Sequence, residues 1–212
     1  MNGRDTVLRS IRGALADVPS SPSPDDVPVP RGSRTDHAGP DVVGLFAERA
    51  TDYRATVVRV PEEEAAIAVS RALARAGARS LVVPPGFPEE LLPPGDWVRL
   101  EDVPPLTVEQ LDAVDAVVTT AAVAIAVTGT VVLDSGPGQG RRVLTLLPDQ
   151  HVCVVRSSQI TGDVPEALAR LDPLRPLTLI SGPSATSDIE LERVEGVHGP
   201  RTLDIVVIED SR

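Results

Sequence analysis

The sequence contains no lysine, so all 20 of its basic residues are arginine. This absence excludes a Schiff-base lysine, a pyridoxal-phosphate lysine and the lysine of a Walker A loop. Cysteine occurs once, at Cys153, which excludes an internal disulfide. A single thiolate also falls short of the roughly four that ligate an iron–sulfur cluster. The three histidines lie far apart, so a zinc site of the usual His/Cys kind is not expected.

Aromatic residues are also scarce, at 2% of the chain, and the net charge is -11. The scarcity of rings argues against stacking platforms for bases, and the negative charge argues against nucleic acid and anionic membrane surfaces as partners. No apolar run has the length of a membrane helix or the pattern of a signal peptide. We therefore expect a cytoplasmic protein whose core is built from aliphatic side chains.

Three regions follow one another along the chain. Apolar residues recur at helical spacing between Val7 and Leu15, which predicts an N-terminal helix within residues 1–17. Residues 18–40 are rich in proline, serine, aspartate and glycine, a composition typical of a linker. Residues 41–212 hold the remaining helix and strand patterns and are predicted to form one domain.

Strand and helix patterns alternate through the first half of this domain, which favours an α/β fold with a largely parallel sheet. Residues 115–134 differ, because they hold three apolar runs joined by short connections. A parallel crossover needs about a dozen residues, so at least one of these joins is expected to be antiparallel. The sequence therefore predicts a mixed, mostly parallel sheet, with any ligand bound beyond the carboxyl ends of its strands.

The stretch 128–142, TGTVVLDSGPGQGRR, is the best candidate for a small-molecule site. Its glycines allow backbone N–H groups to approach an anion, and an arginine fork suits a carboxylate or phosphate. A tight structural loop with surface salt bridges is the alternative interpretation. Adjacent arginines point in different directions, so at most one should face a ligand. The candidate ligand-binding residues are Thr128, Gly129, Thr130, Ser135, Gly136, Gly138, Gln139, Gly140, Arg141 and Arg142.

Two further loops rich in glycine and hydroxyl residues lie at 181–188 and 196–201. The first adds Ser184 to the ligand-binding candidates. The second contains His198, the only candidate proton donor and therefore the tentative catalytic residue, although a lone histidine is more often structural. Cys153 lies inside an apolar strand pattern, which favours inert core packing over reactivity.

Three strings, TGTVVLDSGPGQGRRVLTLLPDQHVCVVRSSQI, ISGPSATSDIE and RVEGVHGPRTLDIVVI, resemble the lactate utilization protein C family, also called the LUD domain family. The resemblance covers roughly residues 115–208. It implies a NagB/RpiA/CoA transferase-like fold, which is a three-layer α/β/α arrangement around a mixed sheet. It also implies a role as the cluster-free component of a system that oxidises L-lactate to pyruvate. Iron–sulfur proteins would then be its partners, and this chain would carry no cofactor.

The resemblance leaves the activity of this component open. Many relatives carry an acidic residue just before the TGT turn and another at the start of that strand, where this chain has Val127 and Ala122. Three roles stay open: a subunit that binds a small carboxylate or nucleotide-like ligand, a non-catalytic scaffold or regulatory subunit, and an independent transferase or isomerase. The last role needs a base in the cleft, for which Asp134 and Asp188 are the candidates. A homo-oligomer also stays open.

Overall fold

The computed structural model describes residues 3–18, 21, 37–92, 95–186, 194–195 and 199–210. The chain divides into two compact units, Met1–Arg34 and Thr35–Arg212. The first unit contains helix α1, Gly3–Ala14, which has an acidic residue in its first turn and a basic residue in its last, as the helix dipole favours. The division falls within the predicted linker, and the domain boundary at residue 41 stays a prediction.

The second unit contains the sheets and the remaining helices. Its helices are α2 (Val42–Asp52), α3 (Ala65–Ala76), α4 (Val108–Asp112) and α5 (Val164–Arg170). Its strands are β1 (Thr56–Pro61), β2 (Ser80–Val83), β3 (Val98–Glu101), β4 (Ala116–Thr120), β5 (Val123–Ile125), β6 (Thr130–Leu133), β7 (Gln150–Arg156), β8 (Ile160–Thr161), β9 (Thr178–Ile180), β10 (Ala185–Thr186), β11 (Val194–Glu195) and β12 (Thr202–Glu209). In the described part of the chain, no helix combines the length and the apolar character that crossing a membrane requires.

Local sequence signals set the helix ends. Asp41 caps α2, because its carboxylate accepts a hydrogen bond from the Gly44 N–H at 2.8 Å. Thr107 and Gln110 form a capping box at the start of α4. Helix α3 ends at Gly77, whose φ of 71° lies in the left-handed region that favours glycine. Each of these helix ends is set by residues that lie next to it in the sequence.

Six strands form one sheet in the order β1-β12-β7-β4-β2-β3, and every neighbouring pair is parallel. The inner strands β4, β7 and β12 are buried along almost their whole length, which explains their continuous apolar runs. Their carboxyl ends, at Thr120, Arg156 and Glu209, lie side by side at one edge of the sheet.

Four shorter strands form a second sheet in the order β8-β5-β6-β9. β6 is antiparallel to both β5 and β9, whereas β5 and β8 are parallel. The turn between β5 and β6 is too short for a crossover, and the Gly129 N–H closes it with a hydrogen bond to the Ala126 carbonyl at 3.2 Å. The antiparallel join predicted for residues 115–134 is therefore present, and it lies in this second sheet rather than in the six-stranded one.

The two faces of the six-stranded sheet are covered by different elements. On one face, Val69 and Leu73 of α3 belong to the same buried cluster as Val118 of β4. On the other, Phe46 of α2 and Val131 of β6 belong to a cluster that includes residues of β7 and β12. The predicted α/β fold with a mostly parallel sheet flanked by helices is confirmed.

Candidate functional site: three cavities around the glycine-rich loop

The glycine-rich loop, residues 134–140, crosses the carboxyl end of β4. The backbone N–H of Thr120 donates to the Gly138 carbonyl at 2.8 Å, and the Thr120 hydroxyl donates to the Pro137 carbonyl at 3.1 Å. On its other side, the Gly138 N–H donates to the carbonyl of Pro85, in the segment after β2, at 2.8 Å. The loop is therefore fixed between the end of one strand and the segment that follows another.

The glycines of this loop serve backbone packing. At Gly138, where φ is 74°, an added Cβ would lie 2.9 Å from the Thr120 hydroxyl and 3.2 Å from the Gly86 carbonyl oxygen. The Gly136 N–H donates to the Asp134 carboxylate at 3.1 Å, and the Gln139 N–H donates to the Gly136 carbonyl at 3.1 Å. The anion-binding role predicted for the backbone of Gly136 and Gly138 does not agree with this geometry, because both N–H groups donate within the protein.

Arg141 is part of an internal clamp. Its Nε and Nη2 donate to the two carboxylate oxygens of Asp102 at 2.7 and 2.9 Å, and Nη2 also donates to the Leu106 carbonyl at 2.6 Å. Burial alone would raise the pKa of Asp102, but the hydrogen bonds from Arg141 and from the Leu106 N–H outweigh it and lower that pKa. The clamp engages the Nε and Nη2 groups of Arg141, and its predicted role as a ligand-facing arginine stays a prediction.

An open groove of about 410 Å³ lies beside this clamp, and we name it the Arg141 groove. It gathers four of the predicted site residues, Ser135, Gly136, Gly140 and Arg141. The charged residues that line it are already paired. Arg141 binds Asp102, and Arg175 donates to Asp134 at 2.6 Å. Asp134 is therefore held by Arg175 and by the Gly136 N–H, and its role as a base in a transferase or isomerase stays a prediction.

The TGT turn supplies a chain of hydroxyl groups. The Thr130 hydroxyl lies 2.7 Å from the hydroxyl of Thr128 and 2.7 Å from that of Ser181. Gly129, between the two threonines, lies against the end of α2, where an added Cβ would come within 2.5 Å of the Ala50 nitrogen. Thr130 thus contacts the loop after β9, Thr128 bonds to Thr130, and Gly129 has a packing role.

A separate cavity of about 270 Å³ lies between residues 142–146, strand β9 and the loop 181–184. We name it the Arg142 cavity, because Arg142 is the one charged group among the described residues that line it. Ser181 and Ser184 are part of the same lining, and Gly199 and Pro200 complete it. No described residue accepts a hydrogen bond or forms an ion pair with the Arg142 side chain, which is solvent-exposed.

The third cavity, of about 260 Å³, lies at the carboxyl ends of β4, β7 and β12, and we name it the carboxyl-end cavity. Gln139 is the one predicted site residue that lines it, beside Thr120, Arg156 and Gln159. The sequence prediction does not include Arg156 or Gln159. The available signal for Arg156 is its place directly after the apolar run 150–155, at a strand's carboxyl end.

The structure thus distributes seven of the predicted ligand-binding residues over three cavities instead of one cleft, and the other four, Thr128, Gly129, Thr130 and Gly138, line none of these three. His198 and Asp188 lie outside the described residues, so their predicted roles stay predictions. His151 and Cys153 lie in the core, with the His151 Nε2 2.8 Å from the Thr119 hydroxyl. Cys153 is fully buried, which confirms its predicted core packing, and burial raises the pKa of its thiol to about 12, as an unreactive thiol requires.

Comparisons with known proteins agree on one family. The family model of the LUD domain matches residues 106–208. A lactate utilization protein C from Deinococcus radiodurans is 45% identical over 207 residues, which cover 96% of this chain and 92% of the relative. Another protein of that name, from Halalkalibacterium halodurans, is 30% identical and covers 82% of each chain. The crystal structure of a DUF162 family protein from Deinococcus radiodurans is similar, with a TM-score of 0.68 and 42% identity, covering 79% of this chain and 96% of that one.

Proposed function

The chain belongs to the lactate utilization protein C family, and on that premise we propose that it serves lactate utilization by binding a small carboxylate in the Arg142 cavity. The observation that carries the proposal is the Arg142 guanidinium, which no described residue pairs with and which lines a cavity of about 270 Å³ together with the hydroxyl residues Ser181 and Ser184. A guanidinium fork beside hydroxyl groups matches the carboxylate and the adjacent oxygen of L-lactate or pyruvate.

Three other arginines that line cavities are already paired with carboxylates, which favours Arg142 as the arginine that binds a ligand. Arg141, Arg156 and Arg175 are bound to Asp102, Glu62 and Asp134, respectively. A ligand carboxylate at any of these three would have to displace a protein carboxylate that already satisfies the guanidinium. At Arg142 a ligand carboxylate would break no ion pair with a described residue, so the gain from the new charge-assisted hydrogen bonds is not offset there.

Partner proteins would carry the electrons of the oxidation. Oxidation of lactate to pyruvate removes two electrons, and the resemblance to the family implies that partner proteins would carry the iron–sulfur clusters. The single, buried Cys153 agrees with this division of labour, since a cluster needs about four thiolates. We therefore propose that this chain holds the carboxylate substrate or product while iron–sulfur proteins carry the redox groups.

Isothermal titration calorimetry with pyruvate and L-lactate tests the ligand claim. We expect the full chain to bind at least one of them and the Arg142→Ala variant to bind it about tenfold or more weakly, because a hydrogen bond to a charged group contributes roughly 1.5–3 kcal/mol. Arg71→Ala is the matched control, since Arg71 is also exposed and does not line the cavity. Equal affinities of wild type and Arg142→Ala, or equal losses in both variants, would remove the proposed site.

A further inference from the structure

A further cavity, of about 270 Å³, lies at the amino ends of β4, β7 and β12, and we name it the amino-end cavity. Its polar lining comes from Asp115, which precedes β4, from Asp149 and Gln150 at the start of β7, and from Arg201 and Thr202 at the start of β12. None of these residues lines the Arg142 cavity or belongs to the predicted site. The amino-end cavity is therefore separate from the proposed carboxylate site.

Gln150 brings an unpaired hydrogen-bond acceptor to this cavity. The residue is only 2% exposed, and its Nε2 donates to the Ala72 carbonyl at 2.9 Å and to the Asp204 carboxylate at 2.7 Å. Because Arg75 pairs with that carboxylate, both partners of Nε2 are acceptors, and the other amide position is the oxygen. Neither Ala72 nor Asp204 lines the cavity, so Oε1, on the opposite side of the amide, is the amide atom directed toward it.

This oxygen is exceptional in the part of the chain that the structure describes. Gln150 Oε1 is the one buried side-chain nitrogen or oxygen there that has no hydrogen-bond partner. Buried polar groups are almost always hydrogen-bonded, and leaving one unpaired costs roughly 1–3 kcal/mol. A buried acceptor beside a cavity therefore favours a ligand that supplies a donor.

Asp115 adds a carboxylate that is fixed in place. Its Oδ2 accepts from the backbone N–H groups of Arg79 and Ser80, both at 2.9 Å, and from the Ser80 hydroxyl at 2.8 Å. The hydrogen bond from Arg79 is the largest cause that lowers the pKa of Asp115, so the carboxylate is ionised at neutral pH. All three bonds go to Oδ2, which leaves Oδ1 as an acceptor for a ligand in the cavity.

The charges of the lining favour a cation. Asp115 and Asp149 carry two negative charges, and Arg201 carries one positive charge, with its Nε 3.5 Å from the Asp149 carboxylate. Ala76 and Ala78, which also line the cavity, lie at the carboxyl end of α3, where the helix dipole adds partial negative charge. The lining is therefore net negative, so it attracts a cation and repels an anion.

We propose that the amino-end cavity binds a small primary amine, whose ammonium group donates hydrogen bonds to Gln150 Oε1 and Asp115 Oδ1. An ammonium group carries three N–H donors, so it satisfies both acceptors with one charge. A metal ion is the weaker choice, because no three His, Cys, Asp or Glu side chains are grouped to hold one among the residues that the structure describes. This inference does not depend on the proposed carboxylate site, which binds the opposite charge.

Side-chain amide resonances in ¹⁵N–¹H correlation spectra of the full chain test this inference directly. The sequence has four glutamines and one asparagine, so only five side-chain NH₂ groups contribute signals. The probes are tert-butylammonium and tetramethylammonium chloride, because these cations share a shape and a charge and only the first has N–H donors. We expect tert-butylammonium to move the Gln150 signals saturably, with Gln110, in the exposed capping box, unmoved as the internal reference. Tetramethylammonium should leave the Gln150 signals in place.

Variants identify the acceptors and separate this site from the carboxylate site. Asp115→Asn keeps an oxygen for Arg79 and Ser80 but removes the charge and Oδ1, so the affinity for tert-butylammonium should fall about tenfold. Asp112→Asn is the matched control, since Asp112 is exposed and does not line the cavity, and it should bind as wild type does. The shift of the Gln150 signals should persist in Arg142→Ala, whichever way the carboxylate titration turns out.

Two results with wild type would overturn the inference, and neither depends on how a variant folds. One is that the Gln150 signals stay fixed at every tert-butylammonium concentration that leaves the Gln110 signals unmoved. The other is that they move equally with tetramethylammonium, which would show an effect of charge alone. Unchanged affinity in Asp115→Asn would also contradict it.

Discussion

Arg141 and Arg142 are adjacent in the chain but differ in what satisfies their side chains. Arg141 is held by Asp102, which lies 39 residues earlier, whereas no described residue pairs with the Arg142 side chain. The sequence limits the number of ligand-facing arginines in this pair to one, because neighbouring residues point in different directions. It does not identify which one, since that depends on a carboxylate brought close only by the fold.

His151 gives a residue-scale prediction about pH. Burial lowers its pKa from 6.5 to about 4. Between these pH values the unfolded chain binds a proton at this histidine and the folded protein does not. Its contribution to stability is therefore complete above pH 6.5 and is lost as the pH falls through about 4, with a magnitude of roughly 3 kcal/mol.

Urea unfolding at several pH values, for wild type and His151→Gln, checks this prediction. Glutamine keeps a polar group near the Thr119 hydroxyl but does not titrate, which makes it the matched variant. We expect the free energy of unfolding of wild type to fall more steeply than that of the variant between pH 6.5 and 4. Parallel pH profiles would show that His151 contributes nothing to the acid sensitivity.

At the scale of elements, the sequence predicts the strands and helices well, because their signals are local. The apolar run 150–155, the cap at Asp41 and the stop at Gly77 each depend on neighbouring residues alone. The glycine-rich loop is different. Its GxGxG spacing is compatible with an anion nest, yet the reason for a glycine at position 138 lies in Thr120 and Gly86, which approach from other elements.

Substitution of Gly138 tests this interpretation of the loop. Gly138→Ala introduces both a left-handed alanine and a contact of 2.9 Å to the Thr120 hydroxyl, so we expect a loss of roughly 2–4 kcal/mol in the free energy of unfolding. Gly77→Ala is the matched control, because its φ of 71° is similar and an added Cβ meets no atom within 4 Å. It should cost about 1 kcal/mol, from the backbone conformation alone. Urea unfolding of both variants measures the difference, and equal losses would contradict the packing role.

For the whole molecule, the sequence predicts the α/β fold and places the candidate residues near strand ends, but it does not predict their division among three cavities. That division follows from the second sheet, which places β9 and the loop 181–184 beside Arg142, and from the central strands, which bring Arg156 and Gln139 to one edge. Arg156 is 36 residues from Thr120 in sequence, yet both line one cavity. Only tertiary structure joins such residues.

The central claim is that this member of the lactate utilization protein C family serves lactate utilization through the Arg142 cavity. Growth of the source organism on L-lactate as the only carbon source tests it most directly, in a strain that lacks the gene and carries a copy encoding wild type, Arg142→Ala or Arg71→Ala at equal protein levels. We predict that wild type and Arg71→Ala restore growth and that Arg142→Ala does not. Full growth with Arg142→Ala would contradict the claim and would favour a scaffold role.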